Sequence, residues 1–220
     1  MIGIRNPFPQ IQQERTVSYG GSQMWSENHT LRQCGCGVVA AVDLLHYLER
    51  YHRNVASSAA FGPANMAAYN QELDAISRRY FTMIPHVGIN GISLVVGMNR
   101  LFRDHGLPFR ARWIFFGGKL WERITDMLEQ DIPVILAVGP NFPALWQKNS
   151  LNFYVKRPDG TYQKATETKA HYVTVTGIDE EWMRVSSWGR QYYISRPEYV
   201  QYVKKHSSYL CSNIVQIQRI

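Results

Sequence analysis

Residues 36–48 constrain this chain more tightly than any other stretch. Val38, Val39, Val42, Leu45 and Leu48 recur at three- and four-residue intervals, the spacing of a helix with one core-facing stripe. The stripe starts directly after Gln33-Cys34-Gly35-Cys36-Gly37, a glycine-rich turn. A cysteine is thereby set where a helix begins. Such a start carries orphan N–H groups and a partial positive charge, and both favour thiolate over thiol. Gly37 leaves the first helical turn open to an approaching substrate. Cys34 is also followed by glycine, but the apolar stripe begins after Cys36, so Cys36 is the nucleophile the pattern favours.

Further helical patterns span about Pro63 to Tyr80, Ser93 to His105 with Gly106 as a C-terminal cap, and Leu120 to Gln130. Asn54 and the Ser57-Ser58 pair end the Cys36 helix. Residues 1–33 read as irregular, punctuated by Pro7, Pro9, Gly20 and Gly21. Past residue 131 the texture changes to strands. These are Ile132 to Val138, a hairpin of Asn152–Lys156 and Tyr162–Ala165 around Pro158-Asp159-Gly160, and His171 to Thr176, broken at Gly177. Met183 to Ser187, Gln191 to Ile194 and Asn213 to Gln218 follow, with a helix from Pro197 to His206. Helices first and antiparallel strands later predict a single α+β domain over residues 1–220. About 1–130 form a mainly helical half with an extended N-terminal segment, and about 131–220 a mainly β half.

A net charge of +7 and a pI near 9.4 allow an acidic partner, but the basic residues are scattered in short clusters and carry no nucleic-acid motif, so none is expected as a partner. Three cysteines, two of them one residue apart, argue against a disulfide framework and suit a reducing compartment. That spacing is also shorter than the usual spacing of zinc pairs, so no metal is expected. The N-terminus lacks a basic flank followed by an apolar run, and no apolar stretch is long enough to cross a bilayer, which makes a cytoplasmic location the expectation. Oligomeric state is not legible.

A cysteine nucleophile needs a base. His46, His52 and His105 fall in or at the ends of helices, and His29, His86 and His206 in loops or near the terminus. His171 differs, because it opens the strand His171-Tyr172-Val173-Thr174-Val175-Thr176-Gly177. A strand end is a rigid place from which to present an imidazole.

These pieces resemble the papain-like cysteine peptidase superfamily, and more closely its bacterial branch that includes the double-glycine peptidases of bacteriocin exporters. Cys36-Gly37-Val38-Val39-Ala40-Ala41 is similar to the bacterial Cys-Gly-x-x-Ala block. Cys34-Gly35-Cys36 is a shortened counterpart of Cys-Gly-Ser-Cys. His171 to Gly177 resembles the His-x-Val-x-Val-x-Gly strand, and Ser186-Ser187-Trp188-Gly189 resembles Asn-Ser-Trp-Gly. His171 and Ser186 follow Cys36 by 135 and 150 residues, within the family's range of roughly 130–150.

The resemblance implies a papain-like fold and a role for each residue. Cys36 would attack a carbonyl carbon, and His171 would pair with the thiolate as imidazolium and then protonate the leaving amine. A third residue would hold the ring. Aligning on Trp188 puts Ser186 at the asparagine position, ahead of Ser187 and of Asp179. Trp188 would shield the histidine. The oxyanion amide would come from Gln23, in the loop Tyr19-Gly20-Gly21-Ser22-Gln23, or from Gln33, since the family's position holds Thr30 here. The Cys36 N–H is the second donor.

The implied activity is hydrolysis of a peptide or isopeptide bond in a peptide or protein substrate, without a cofactor. Acyl transfer or side-chain deamidation by the same machinery is an alternative, and so is a non-catalytic binding module on the same fold. Phe61 to Met66, Pro85 to Gly91 and Pro140 to Ser150 are the expected groove loops.

Overall fold

The structure, a computed structural model, describes residues 1–53, 64–139 and 149–220. Asn54, the Ser57-Ser58 pair, Pro63, most of the Phe61–Met66 loop and most of the Pro140–Ser150 loop lie outside the described residues. The architecture is α+β, with mixed helices and a large antiparallel sheet. The chain divides into two compact units. A sheet unit holds residues 1–5, 113–186 and 191–216, and a helical unit holds 6–112, 187–190 and 217–220.

The helical unit is organised on α2 (Cys36–His52), in which Val38, Val39, Val42, Leu45 and Leu48 are all buried, together with Ala41, Leu44 and Tyr47. Burial on nearly every face makes this a core helix rather than an amphipathic surface one. Two amphipathic helices cover it, α3 (Met66–Tyr80) through Leu73 and Ile76, and α4 (Gly91–Asp104) through Leu94, Met98 and Leu101. Asn65 and Asn90 cap them by accepting first-turn N–H groups. Gly106, at φ 65°, stops α4 as expected, with its N–H donated to the Arg103 carbonyl.

Residues 1–33 are not irregular. They contain β1 (Ile2–Gly3), β2 (Ile11–Gln13), β3 (Thr16–Val17), a 3-10 turn (Gln23–Trp25) and α1 (His29–Cys34). Strands of two or three residues and a six-residue helix are too short to show a period. β2 pairs with β3 and, in parallel, with β4 (Ala64–Asn65). The next strand, β5 (Phe109–Trp113), does alternate buried and exposed residues, a legible signal that the helix-oriented reading passed over. Just before β5 the Pro108 carbonyl accepts the Ile220 N–H.

Gly97 shows how tightly α4 packs. A Cβ there would meet the Phe81 ring at 2.4 Å and the Tyr80 carbonyl oxygen at 2.6 Å. Glycine to alanine inside a helix ordinarily gains about 1 kcal/mol. Here the sign should reverse, because Phe81 and the α3 terminus must move, and Gly97→Ala is expected to lose about 1–3 kcal/mol in urea denaturation.

The sheet unit is built on α5 (Leu120–Glu129), β6 (Val134–Val138), β7 (Leu151–Lys156), β8 (Tyr162–Thr168), β9 (His171–Ile178), β10 (Trp182–Ser187), β11 (Arg190–Ser195), α6 (Arg196–His206) and β12 (Ile214–Arg219), less Ser187, Arg190 and residues 217–219, which the helical unit holds. Strand order is β12-β6-β9-β10-β11-β7-β8, with β1 added beside β9. The central strands β6 and β9 are buried almost throughout; β6 reads as a continuous apolar run, whereas Thr174 and Thr176 make β9 look like an alternating strand with one polar face. Gly177 does not break β9, which runs on to Ile178. A Cβ there would stand 3.2 Å from the Met1 sulfur and 3.3 Å from the Arg184 guanidinium, tight contacts with the ends of two flexible side chains.

Candidate functional site

Two short steps in the backbone set where each cysteine sits. α1 starts at Asn28, whose side chain accepts the Thr30 and Leu31 N–H groups, and it closes at Cys34. Gly35 then serves both helices, donating its N–H to the Leu31 carbonyl at 2.8 Å while α2 begins at the next residue. Only glycine fits this joint, because a Cβ would lie 2.5 Å from the Leu31 oxygen. Cys34 ends up 9% exposed, with its thiol donating to the Thr30 carbonyl at 3.1 Å and lying 3.8 Å from the Ile84 carbonyl. Cys36 is half-buried at the first position of a 17-residue helix. Side chains cap α1, α3, α4 and α6, whereas Gly35 offers α2 none, as Lys119 offers none to α5. Gly37 is buried in that first turn.

The Gly20–Gln23 loop belongs to the same unit. Gln23 is buried and its Nε2 donates to the Arg32 carbonyl at 3.0 Å, folding the loop onto α1. Gly21 donates its N–H to both Asp43 carboxylate oxygens, at 3.0 and 2.9 Å, and its carbonyl accepts from the Gly189 N–H at 2.8 Å. Tyr19 in turn donates to the Gly189 carbonyl at 2.9 Å. Trp188 and Gly189 form the two-residue turn between β10 and β11, with φ 50° and 74°, the positive pair a type I′ turn needs. A Cβ at Gly189 would strike the Trp25 ring at 2.6 Å. Thus the Gln23 loop and the Trp188 turn, far apart in sequence, are clasped together. Gln33 instead lies exposed on α1, and Thr30 uses its carbonyl for Cys34.

In the sheet unit His171 opens β9 opposite Val138 of β6 and is 7% exposed, with its ring 6.3 Å from that of Phe153. Burial pushes its pKa down to about 3, so the imidazole is neutral at ordinary pH.

Strand register separates the two serines of β10. Ser186 pairs with Thr174 and Val185 with Val175, while β9 runs in regular register against β6 from His171 to Val175. Opposed residues of an antiparallel pair share a face, and neighbours along a strand alternate. Ser186 therefore shares the Thr174 face, and His171, three residues from Thr174, takes the other. Ser187 lies two residues past Val185 in β10 and so has the Val185 face, which is also that of Val175 and His171. Asp179 lies elsewhere. Its carboxylate accepts the Glu181 and Trp182 N–H groups in the β9–β10 turn, at the opposite end of β9 from His171.

The helix histidines have structural work. His46 bonds to Glu72 and His105 to Glu49, each at 2.9 Å, and the His52 ring packs edge-on against Phe109. Among the described residues no cluster of His, Cys, Asp and Glu could hold a metal ion, and no helix is long and apolar enough to cross a membrane. No family model matches the chain, and neither does any curated protein or solved structure.

Proposed function

We propose that this chain is a papain-like cysteine hydrolase that cleaves a peptide or isopeptide bond with Cys36 as nucleophile and His171 as its base. The observation that carries the reading is the contrast between the two neighbouring thiols. Cys34 is buried as a donor to carbonyl oxygens, and Cys36 stands half-buried at the glycine-capped start of the longest helix. The field at a helix start suits a sulfur anion and, later, an oxyanion.

In this chemistry the neutral imidazole takes the thiol proton as sulfur bonds to the carbonyl carbon, and the C=O electron pair moves to oxygen. The Cys36 N–H and the Gln23 amide stabilise that oxyanion. Collapse expels the amine, which leaves with the proton from the imidazolium. Water then attacks the thioester, giving one proton to His171, and the carboxylic product departs as the thiol is restored. Burial disfavours the imidazolium, so the ring carries a proton only beside an anion such as the thiolate. Ser187 holds the ring, and Trp188 screens it.

Competitive alkylation with iodoacetamide, read by peptide mass mapping, tests the pair. Cys36 is expected to react at least tenfold faster than Cys34 or Cys211 at pH 6, and His171→Ala to erase that lead. A short bifunctional alkylating reagent should then join Cys36 to His171 within one chain. Equal rates at all three thiols, unchanged by His171→Ala, would exclude the pair. Ser187→Ala should slow turnover about tenfold or more and Ser186→Ala much less, with the reverse order restoring Ser186 as orienter.

A further inference from the structure

Asp43 is a buried carboxylate that the chemistry above does not use, and its contacts converge on the loop that carries the oxyanion amide. It lies seven residues after Cys36 on α2, two turns along and on the same face, about 10 Å up the helix. Both of its oxygens accept the Gly21 N–H, and Oδ1 also accepts the Tyr69 hydroxyl at 2.9 Å. Tyr69, on α3, is itself fully buried and shapes the loop directly, since a Cβ at Gly21 would sit 1.9 Å from its hydroxyl oxygen. Gln23 follows two residues later and is fastened at its far end to the Arg32 carbonyl.

From this geometry we infer that Asp43, braced by Tyr69, is the positioning residue that fixes the Gly20–Gln23 loop to the helix of the nucleophile and so sets Gln23 relative to Cys36. The inference rests on the cysteine-hydrolase reading for its catalytic meaning, but the anchoring stands on contacts within the helical unit alone. A residue carried by the same rigid helix as the sulfur transmits position without slack. A tie from any other element would add that element's own movement. The cost is visible in the carboxyl group itself, since burial raises its pKa to about 6 despite the Gly21 and Tyr69 hydrogen bonds and the nearby His46. A leucine would fill the space without that penalty, but it could not hold the Gly21 N–H.

Hydrogen exchange and kinetics on Asp43→Ala, Asp43→Asn and Tyr69→Phe test this in the full chain. Residues 19–25 of Asp43→Ala are expected to exchange at least tenfold faster, with α3 and α4 unchanged. Turnover of a peptide substrate should fall about 100-fold in kcat with KM within threefold, the loss typical of an oxyanion donor. Asp43→Asn keeps an acceptor for Gly21 and should recover most of this, and Tyr69→Phe should fall between. Gln23→Ala combined with Asp43→Ala should be no slower than Gln23→Ala alone, because the carboxylate acts through the amide. Multiplying losses, or unchanged exchange in residues 19–25, would overturn the proposal. If Asp43→Ala does not fold, Asp43→Asn and Tyr69→Phe carry the same exchange test. If the wild type shows neither turnover nor a fast-reacting Cys36, the hydrolase reading fails, and faster loop exchange would still establish the anchor.

Discussion

Cys36→Ala is expected to remove peptide-bond cleavage almost entirely, lowering kcat by about 10⁴–10⁶-fold, as when the nucleophile of a triad-type hydrolase is deleted. His171→Ala should come close to the same floor. The double variant should be no slower than either single one, since the thiol and its base act as one unit. Cys34→Ala is the control. Its thiol is buried against the Thr30 and Ile84 carbonyls, so its loss should cost about 1 kcal/mol of stability and leave turnover within about threefold. Steady-state kinetics on a peptide that the wild type cleaves, with denaturation curves for each variant, checks all four. Full activity in Cys36→Ala together with loss in Cys34→Ala would transfer the role to Cys34.

The second large effect is on stability against pH. His171 has a folded pKa near 3, below its ordinary 6.5, so between those values the unfolded chain binds a proton that the folded chain refuses. Stability contributed by the neutral ring is complete above pH 6.5 and is lost as pH falls toward 3, by roughly 5 kcal/mol at most. Asp43 runs the other way. Its folded pKa of about 6 lies above the unfolded 3.8, so the folded chain gains the extra proton and stability rises as pH falls from 6 to 3.8, by up to roughly 3 kcal/mol. In that shared window the two slopes cancel, one proton against one. His171→Gln should therefore grow more stable, relative to its own value at pH 7, between pH 6 and 3.8, and Asp43→Asn should grow less stable. Urea denaturation across pH 7 to 4 reads both, and parallel curves for the two variants and the wild type would refute both assignments.

Much of the architecture was legible because it is written in local periods. The start of α2 at Cys36, the ends of α4 and α5 and the strands from β6 onward lie within a few residues of their expected places. Each spans enough residues to repeat a 3.6 or 2.0 period or ends on a distinctive turn residue, such as Gly106 or Asp159-Gly160. β1 to β3 and α1 were missed because they are too short to repeat anything. Gly177 sits inside β9, and a glycine within a strand and one that ends it look alike in one dimension.

The candidate site divides along the same line. That a cysteine would stand at the first turn of a helix with a core-facing stripe, and a histidine at the head of a strand, followed from pattern and spacing, since both depend on residues close by in the chain. Whether Ser186 or Ser187 shares the histidine's face depends on how β10 is registered on β9, and that is fixed by pairings between distant residues. The removal of Asp179 to the far turn, the clasp of Gly21 on Gly189 and the tie from Asp43 to Gly21 are of the same kind. Local pattern marked out the longer elements and the residues that begin them. Tertiary structure decided which of those residues face one another, because a one-residue shift in strand register, invisible to any local pattern, turns every side chain to the other face.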